Sequence, residues 1–232
     1  MRLHATTVLS LSALAILALA GCSNGSAAAS GPMSSPPVPV HPDGESAPAL
    51  ASLSSTALAK LLLDESDLGW GYTRTPQRPA ALDDVAVVGC PAMEKLGDDT
   101  ATGTSLAFPR KAKASFAYAG GSNSELAEEL YSDTAAKLSK GIGEIFDAMV
   151  SCPTYQVVSV NTVVTVGTQV TPAPDLGNEQ WSQLLTYSIG GQRSVVKQTA
   201  IRIGNVLVLV SGAPGLVDAN LEKALDKAQA AL

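Results

Sequence analysis

The chain has 232 residues, 46 % hydrophobic and 16 % charged, with a formal net charge of −6. That composition belongs to a globular protein, and an acidic balance without a basic, aromatic-laced stripe excludes a nucleic-acid groove. The only two histidines, His4 and His41, precede the part that reads as folded. Ser–His and Cys–His catalysis and histidine-rich zinc sites are therefore excluded from that part.

Arg2 supplies a short positive region, and an apolar run from about Val8 to Ala20 follows it. Small residues then lead into Cys22, the order of a secretory signal. Leu19-Ala20-Gly21-Cys22 resembles the bacterial lipobox. The resemblance implies cleavage before Cys22 and acylation of that cysteine, so membrane lipid is the expected partner at the extracytoplasmic face of the cell membrane. Two or more acyl chains anchor stably where one grips marginally. Removal of residues 1–21 takes Arg2 away, leaving 14 basic against 21 acidic residues, or −7. Residues 22–52 hold Pro32, Pro36, Pro37, Pro39, Pro42 and Pro48 among Ser, Ala and Gly, which reads as a tether. Residues 53–232 then form one domain, and no second long apolar run predicts a membrane span.

Within that domain, Leu58, Leu61 and Leu62 share one face of a predicted helix over 53–63, and Asp67 to Tyr72 is a glycine-punctuated turn. A short strand is expected at Val85–Val88 and one or two helical turns at Ala92–Leu96. Ser105–Phe108 and Ala114–Tyr118 have strand character across a basic loop holding Arg110, Lys111 and Lys113. A long helix is predicted from Asn123 to about Ser151, with Ser122 and Glu125 at capping-box spacing and Leu126, Leu130, Leu138, Ile142, Ile145 and Met149 on its inner stripe. Gly141 and Gly143 weaken its middle and suggest a break there. Strand texture follows at Tyr155–Val170, Trp181–Ile189, Ser194–Ile203 and Val206–Val210. Gly190-Gly191 and Gly204-Asn205 are hairpin turns between the later strands. A closing helix from about Val217 turns Val217, Leu221, Ala224, Leu225 and Ala228 inward. Short turns mean antiparallel neighbours, so the expected class is α+β, an antiparallel sheet with a long central helix and a C-terminal helix packed on it.

With Cys22 assigned to lipid, Cys90 and Cys152 remain as an even pair in an oxidising compartment. The compartment favours a disulfide between them over two buried thiols. No catalytic pattern holds in its context. Ser194-Val195-Val196-Lys197 matches the Ser-x-x-Lys spacing, but in a strand those two side chains point to opposite faces. Gly141-Ile142-Gly143 starts a dinucleotide fingerprint, yet Phe146 stands where the third glycine belongs. The carboxylate pairs Asp64-Glu65, Asp83-Asp84, Asp98-Asp99 and Glu128-Glu129 read as solvated loop and helix-face charges. Asp98-Asp99 lacks the remaining oxygen ligands of a calcium loop. No cofactor or metal is called for. Trp70, Tyr72 and Trp181 are the ligand-contact candidates, because aromatic side chains commonly line binding pockets; core packing is their alternative role.

The run from Leu61-Leu62-Leu63 to Gly69-Trp70, Cys90 heading a short helix, Phe108 leading to Phe116, a long helix into Cys152, and Val-rich hairpins before a final amphipathic helix follow a recognisable order. In that order the chain resembles small secreted actinobacterial lipoproteins similar to the extracellular sensor domain of mycobacterial receptor Ser/Thr kinases, the PknH-like extracellular domain. The resemblance implies an α+β domain with a central cleft, suited to sensing a small molecule, lipid or envelope fragment and not to catalysis. It transfers no site residues beyond Cys90 and Cys152. An envelope scaffold is the alternative reading, and a carboxylate-dependent hydrolase of cell-wall glycans is a third.

Overall fold

In the computed structural model, residues 51–76, 85–96, 108–120, 124–159 and 162–230 are described. Two short helices open the domain, α1 (Ser55–Ala59) and α2 (Glu65–Leu68). The Ser54 hydroxyl caps α1, and Asp64 caps α2 in a reciprocal box with Asp67, which satisfies the free N–H groups at each start. Strands β1 (Tyr72–Arg74) and β2 (Ala86–Val88), helix α3 (Pro91–Leu96), and strands β3 (Lys111–Tyr118) and β4 (Ser124–Ser132) follow. Helix α4 (Ala135–Ser151) then precedes β5 (Thr154–Ser159), β6 (Thr162–Val170), β7 (Glu179–Ile189), β8 (Gln192–Ile203) and β9 (Val206–Gly212), and α5 (Pro214–Gln229) ends the chain's described part.

The nine strands form one sheet in the order β1-β3-β4-β9-β8-β7-β6-β5-β2, every neighbouring pair antiparallel. The sheet, not a helix, is the centre of this mostly β domain. Gly190 and Gly191 (φ 54° and 83°) close the β7–β8 hairpin, and Gly204 (φ 56°) closes β8–β9, as their sequence positions predict.

Different helices cover the two faces, and the covered areas overlap at β4, β9 and β8. On one face, α1, α2 and α5 pack over β1, β3, β4, β9 and the adjoining part of β8. Leu58, Leu63, Phe116, Leu126, Leu130, Ile201, Val208, Val217 and Leu221 are buried there together. All five residues predicted to face inward on the last helix are buried. On the other face, α3 and α4 pack with Val87, Met93, Tyr155, Val164, Val166 and Leu185, and with Phe108, Tyr131, Ala200 and Leu207. Cys90 and Cys152 are bonded, joining the start of α3 to the end of α4.

Several expectations change. The long helix does not begin at Asn123: residues Ser124–Ser132 are strand β4, and the helix starts after Thr134, whose hydroxyl accepts from Lys137 N–H. Leu126 and Leu130 are four apart, an interval shared by helical and strand periods, so the pattern misread is an ambiguity of spacing. Glu125 is thus in a strand and caps nothing. Gly141 does not break α4; a Cβ there would lie 2.8 Å from Phe108 Cζ, so the glycine admits that ring. Lys111 and Lys113 lie in β3 and not in a loop, and Ala114–Tyr118 pairs with β4. Tyr155–Val170 is two strands that pair with each other. The first helix stops at Ala59 and leaves Leu62 and Leu63 buried beyond it. Residues 105–107 and 122–123 lie outside the described residues.

Candidate ligand groove

The three aromatic candidates do not meet. Trp70 stands at the α2–β1 turn between Gly69 and Gly71 (φ 88° and 93°) and is 94 % exposed. Tyr72, next to it on β1, stacks on Tyr118 with ring centroids 4.7 Å apart, and its hydroxyl accepts from Asn220 Nδ2 at 2.9 Å. Trp181 is on β7, on the opposite face of the sheet, half-buried against Phe146 at 6.5 Å. Five strand steps separate β1 from β7, about 24 Å at the usual spacing. Cys22 lies outside the described residues.

The acidic pairs also resolve into separate roles. Asp64 accepts from Ser66 and Asp67 N–H groups, and Lys227 reaches both Asp64 (3.1 Å) and Asp67. Hydrogen bonds from Ser66 and then Lys227 hold the Asp64 carboxyl well below the usual range. Glu128 and Glu129 are not solvated, contrary to the sequence reading: both are buried, on opposite faces of β4. The Glu128 side chain lies under α1 and α2, where Leu63 N–H donates to Oε2 at 2.6 Å while Oε1 has no hydrogen-bond partner among the described residues. Burial pushes its carboxyl up to about 7, against the opposing pull of the Leu63 bond and of Lys227. On the other face, Glu129 accepts from Lys113 Nζ at 2.8 Å and from the Tyr131 hydroxyl. Burial first, then Glu129, holds the Tyr131 phenol well above its usual value. Asp83-Asp84 and Asp98-Asp99 lie outside the described residues. Ser194 and Lys197 fall within β8, three apart, and thus on opposite faces.

The feature with the shape of a site comes from the staggered helix cover. No helix among the described residues lies over β5, β6, β7 and the hairpin end of β8 on the α5 side. A groove of about 310 Å³ opens there. Strand register builds it in two adjacent rows. One row runs Thr154–Gly167–Thr186, and the next runs Thr165–Ser188–Arg193, each pair directly opposite across the ladder. Gly167 is the floor. A Cβ added there would find its nearest neighbours at 3.8 Å, so the missing side chain leaves a hollow and not a tight fit. Gln169 borders one end.

The groove is rich in hydroxyls and carries one guanidinium. Among the described residues no carboxylate lines it. Arg193 is exposed at the strand end, and no ion pair forms to it among the described residues. The nearby cation on the same face of β8, Lys197, is paired with Asp218 of α5. The sequence reading passed over these residues. Their signal was present as alternation, with small or polar residues at 165, 167 and 169 and at 186 and 188, but Thr and Ser are common in strands.

No protein-family model matches the chain, and no curated protein does. Among solved structures, the crystal structure of the extracellular domain of PknH from Mycobacterium tuberculosis shares its fold. The two superpose with a TM-score of 0.57 at 14 % sequence identity, over 76 % of this chain and 97 % of that one. The likeness is one of fold, and it is the one towards which the order of elements pointed.

Proposed function

We propose that the chain is a lipoprotein anchored through acylated Cys22 at the extracytoplasmic face of an actinobacterial cell membrane. Its domain is a sensor-like module that binds a small molecule or envelope fragment and catalyses no reaction. The carrying observation is the groove on the uncovered half-sheet of a fold shared with an extracellular domain. The disulfide supports an oxidising compartment. No helix among the described residues is long and apolar enough to cross a membrane.

Chain entry supports the orientation. Leu53 N–H donates to Ser132 Oγ, and Asn205 Nδ2 donates to the Ala51 carbonyl, tying the end of the tether to the β8–β9 hairpin end. Arg193 lies ten residues along β8 from Ile203 at that end, about 33 Å away in an extended strand. The groove therefore lies towards the far end of β8 from the point where the tether enters.

Two measurements test this reading. Cys22→Ser leaves the protein as an uncleaved precursor or releases it to the medium; full membrane retention with normal processing refutes the anchor. Thermal melting of the full chain in detergent with an envelope extract rises for the native protein and not for Gly167→Val, which fills the groove. Equal shifts in both proteins refute the groove. A second reading, an envelope scaffold, is favoured by Trp70, since an exposed tryptophan is a common anchor at interfaces. The glycan-hydrolase reading gains nothing here: Glu128 and Glu129 point away from each other, and among the described residues no carboxylate lines the groove.

A further inference from the structure

We propose that the groove takes an acidic sugar, a small polyhydroxylated molecule with one carboxylate or phosphate, bound by its anion to Arg193 and by its hydroxyls to the Thr/Ser wall. This rests on the groove reading above and names its ligand class. The lining determines the chemistry. Thr154, Thr165, Thr186 and Ser188 present hydroxyls that both donate and accept, which suits a polyol. No aromatic ring among the described residues lines the groove to stack on a base, and hydroxyl-bearing side chains are its commonest lining. A volume of 310 Å³ is at the small end of ligand sites.

Charge supplies the anion. The chain is net −6, yet the residues that β5, β6, β7 and β8 turn towards this face include no Asp or Glu. They include Arg193, without a carboxylate partner among the described residues, and Lys197, which Asp218 neutralises. Among the described residues the open half-face thus carries one cation without a carboxylate partner, on an acidic protein. A guanidinium holds carboxylate or phosphate through two parallel N–H bonds, whereas a neutral sugar leaves it unused. Arg193 is one residue beyond the Gly190–Gly191 hairpin and Gln192, where the open end of the groove lets a ligand reach it.

Binding is measured with glucuronate, glucose 6-phosphate and glucose, by calorimetry on the full chain in detergent. The expected result is binding of at least one of the two acids about tenfold or more tighter than glucose, in line with a charged hydrogen-bonded pair. The acid that binds identifies the anion as carboxylate or phosphate. Arg193→Gln removes the preference, and Thr186→Val, which keeps the side-chain shape, weakens all binding. Gly167→Val abolishes it. Unchanged melting of Arg193→Gln and Thr186→Val without ligand shows that both fold. Equal affinity for the three sugars, or full affinity in Arg193→Gln, overturns the acidic-sugar assignment while leaving a groove that binds. Absence of binding by all three also overturns it. The groove itself then stands or falls on the envelope-extract shift and its loss in Gly167→Val.

Discussion

Replacing Glu128 with Gln is the sharpest test of how this domain is held together. The Glu128 side chain is fully buried among Leu58, Leu63, Leu126, Leu130 and Val210, and burial lifts its carboxyl from 4.5 to about 7. The opposing influences are the Leu63 N–H bond, Lys227 and Arg74, with Asp67 adding to the rise. A carboxyl raised in the folded state keeps its proton there while the unfolded chain has lost it. Below about pH 4.5 both states are protonated and the fold loses nothing. As pH climbs from 4.5 to 7 the unfolded state is progressively favoured, and stability falls. The full difference of about 2.5 pH units corresponds to about 3 kcal/mol above pH 7. Gln keeps the shape and the carbonyl that accepts from Leu63, and it cannot ionise. The variant should therefore match the native protein near pH 4.5 and exceed it by about 3 kcal/mol at pH 8. For a domain of about 180 residues that raises Tm by about 6–12 °C. Urea unfolding and thermal melts across pH 4.5–8 measure both curves. If the two proteins lose stability in parallel between pH 4.5 and 7, Glu128 does not carry the pH dependence and the reasoning is wrong.

Cleaving the Cys90–Cys152 link, by reductant or by Cys152→Ser, frees a loop with a sequence separation of 62, and denaturant melts should show a loss of about 4 kcal/mol. Gly141→Ala should destabilise by about 1 kcal/mol, since the added Cβ meets Phe108 Cζ at 2.8 Å and overpacking outweighs the better helix propensity. Adding Phe108→Leu should reverse the sign of the Gly141→Ala effect; the same penalty in both backgrounds would rule out that contact. Trp70→Ala should change unfolding free energy by less than about 0.5 kcal/mol because the ring is exposed. If the scaffold reading holds, the same variant loses its stoichiometric partner in a membrane pull-down.

Much of the domain was legible where two local signals agreed. The β7–β8 and β8–β9 hairpins carry both alternating strands and glycines with the positive φ that tight turns demand. The closing helix carries a single apolar stripe, every member of which is buried. β4 failed because Leu126 and Leu130 suit either period, and because Glu128 and Glu129 look like solvent-facing helix residues when each is buried on its own side of a strand. The aromatic candidates failed to converge for a simpler reason: adjacency of Trp70 and Tyr72 says nothing about the distance or face of Trp181.

By itself the amino-acid order gave the lipobox-like start, the acidic and histidine-free domain, a preference for pairing the two remaining cysteines and the antiparallel run from Trp181 to Val210. These depend on residue type and on neighbours a few positions apart. Tertiary structure decided which half of each sheet face the helices cover, and so where the surface stays open. That choice follows from strand order and register, which put Gly167 between Thr154 and Thr186 and Ser188 beside Arg193. The Gly190–Gly191 hairpin sets Ser188 beside Arg193 locally, but no local pattern encodes the pairing of β6 with β7 across residues 171–178. The groove exists only once four strands are laid side by side.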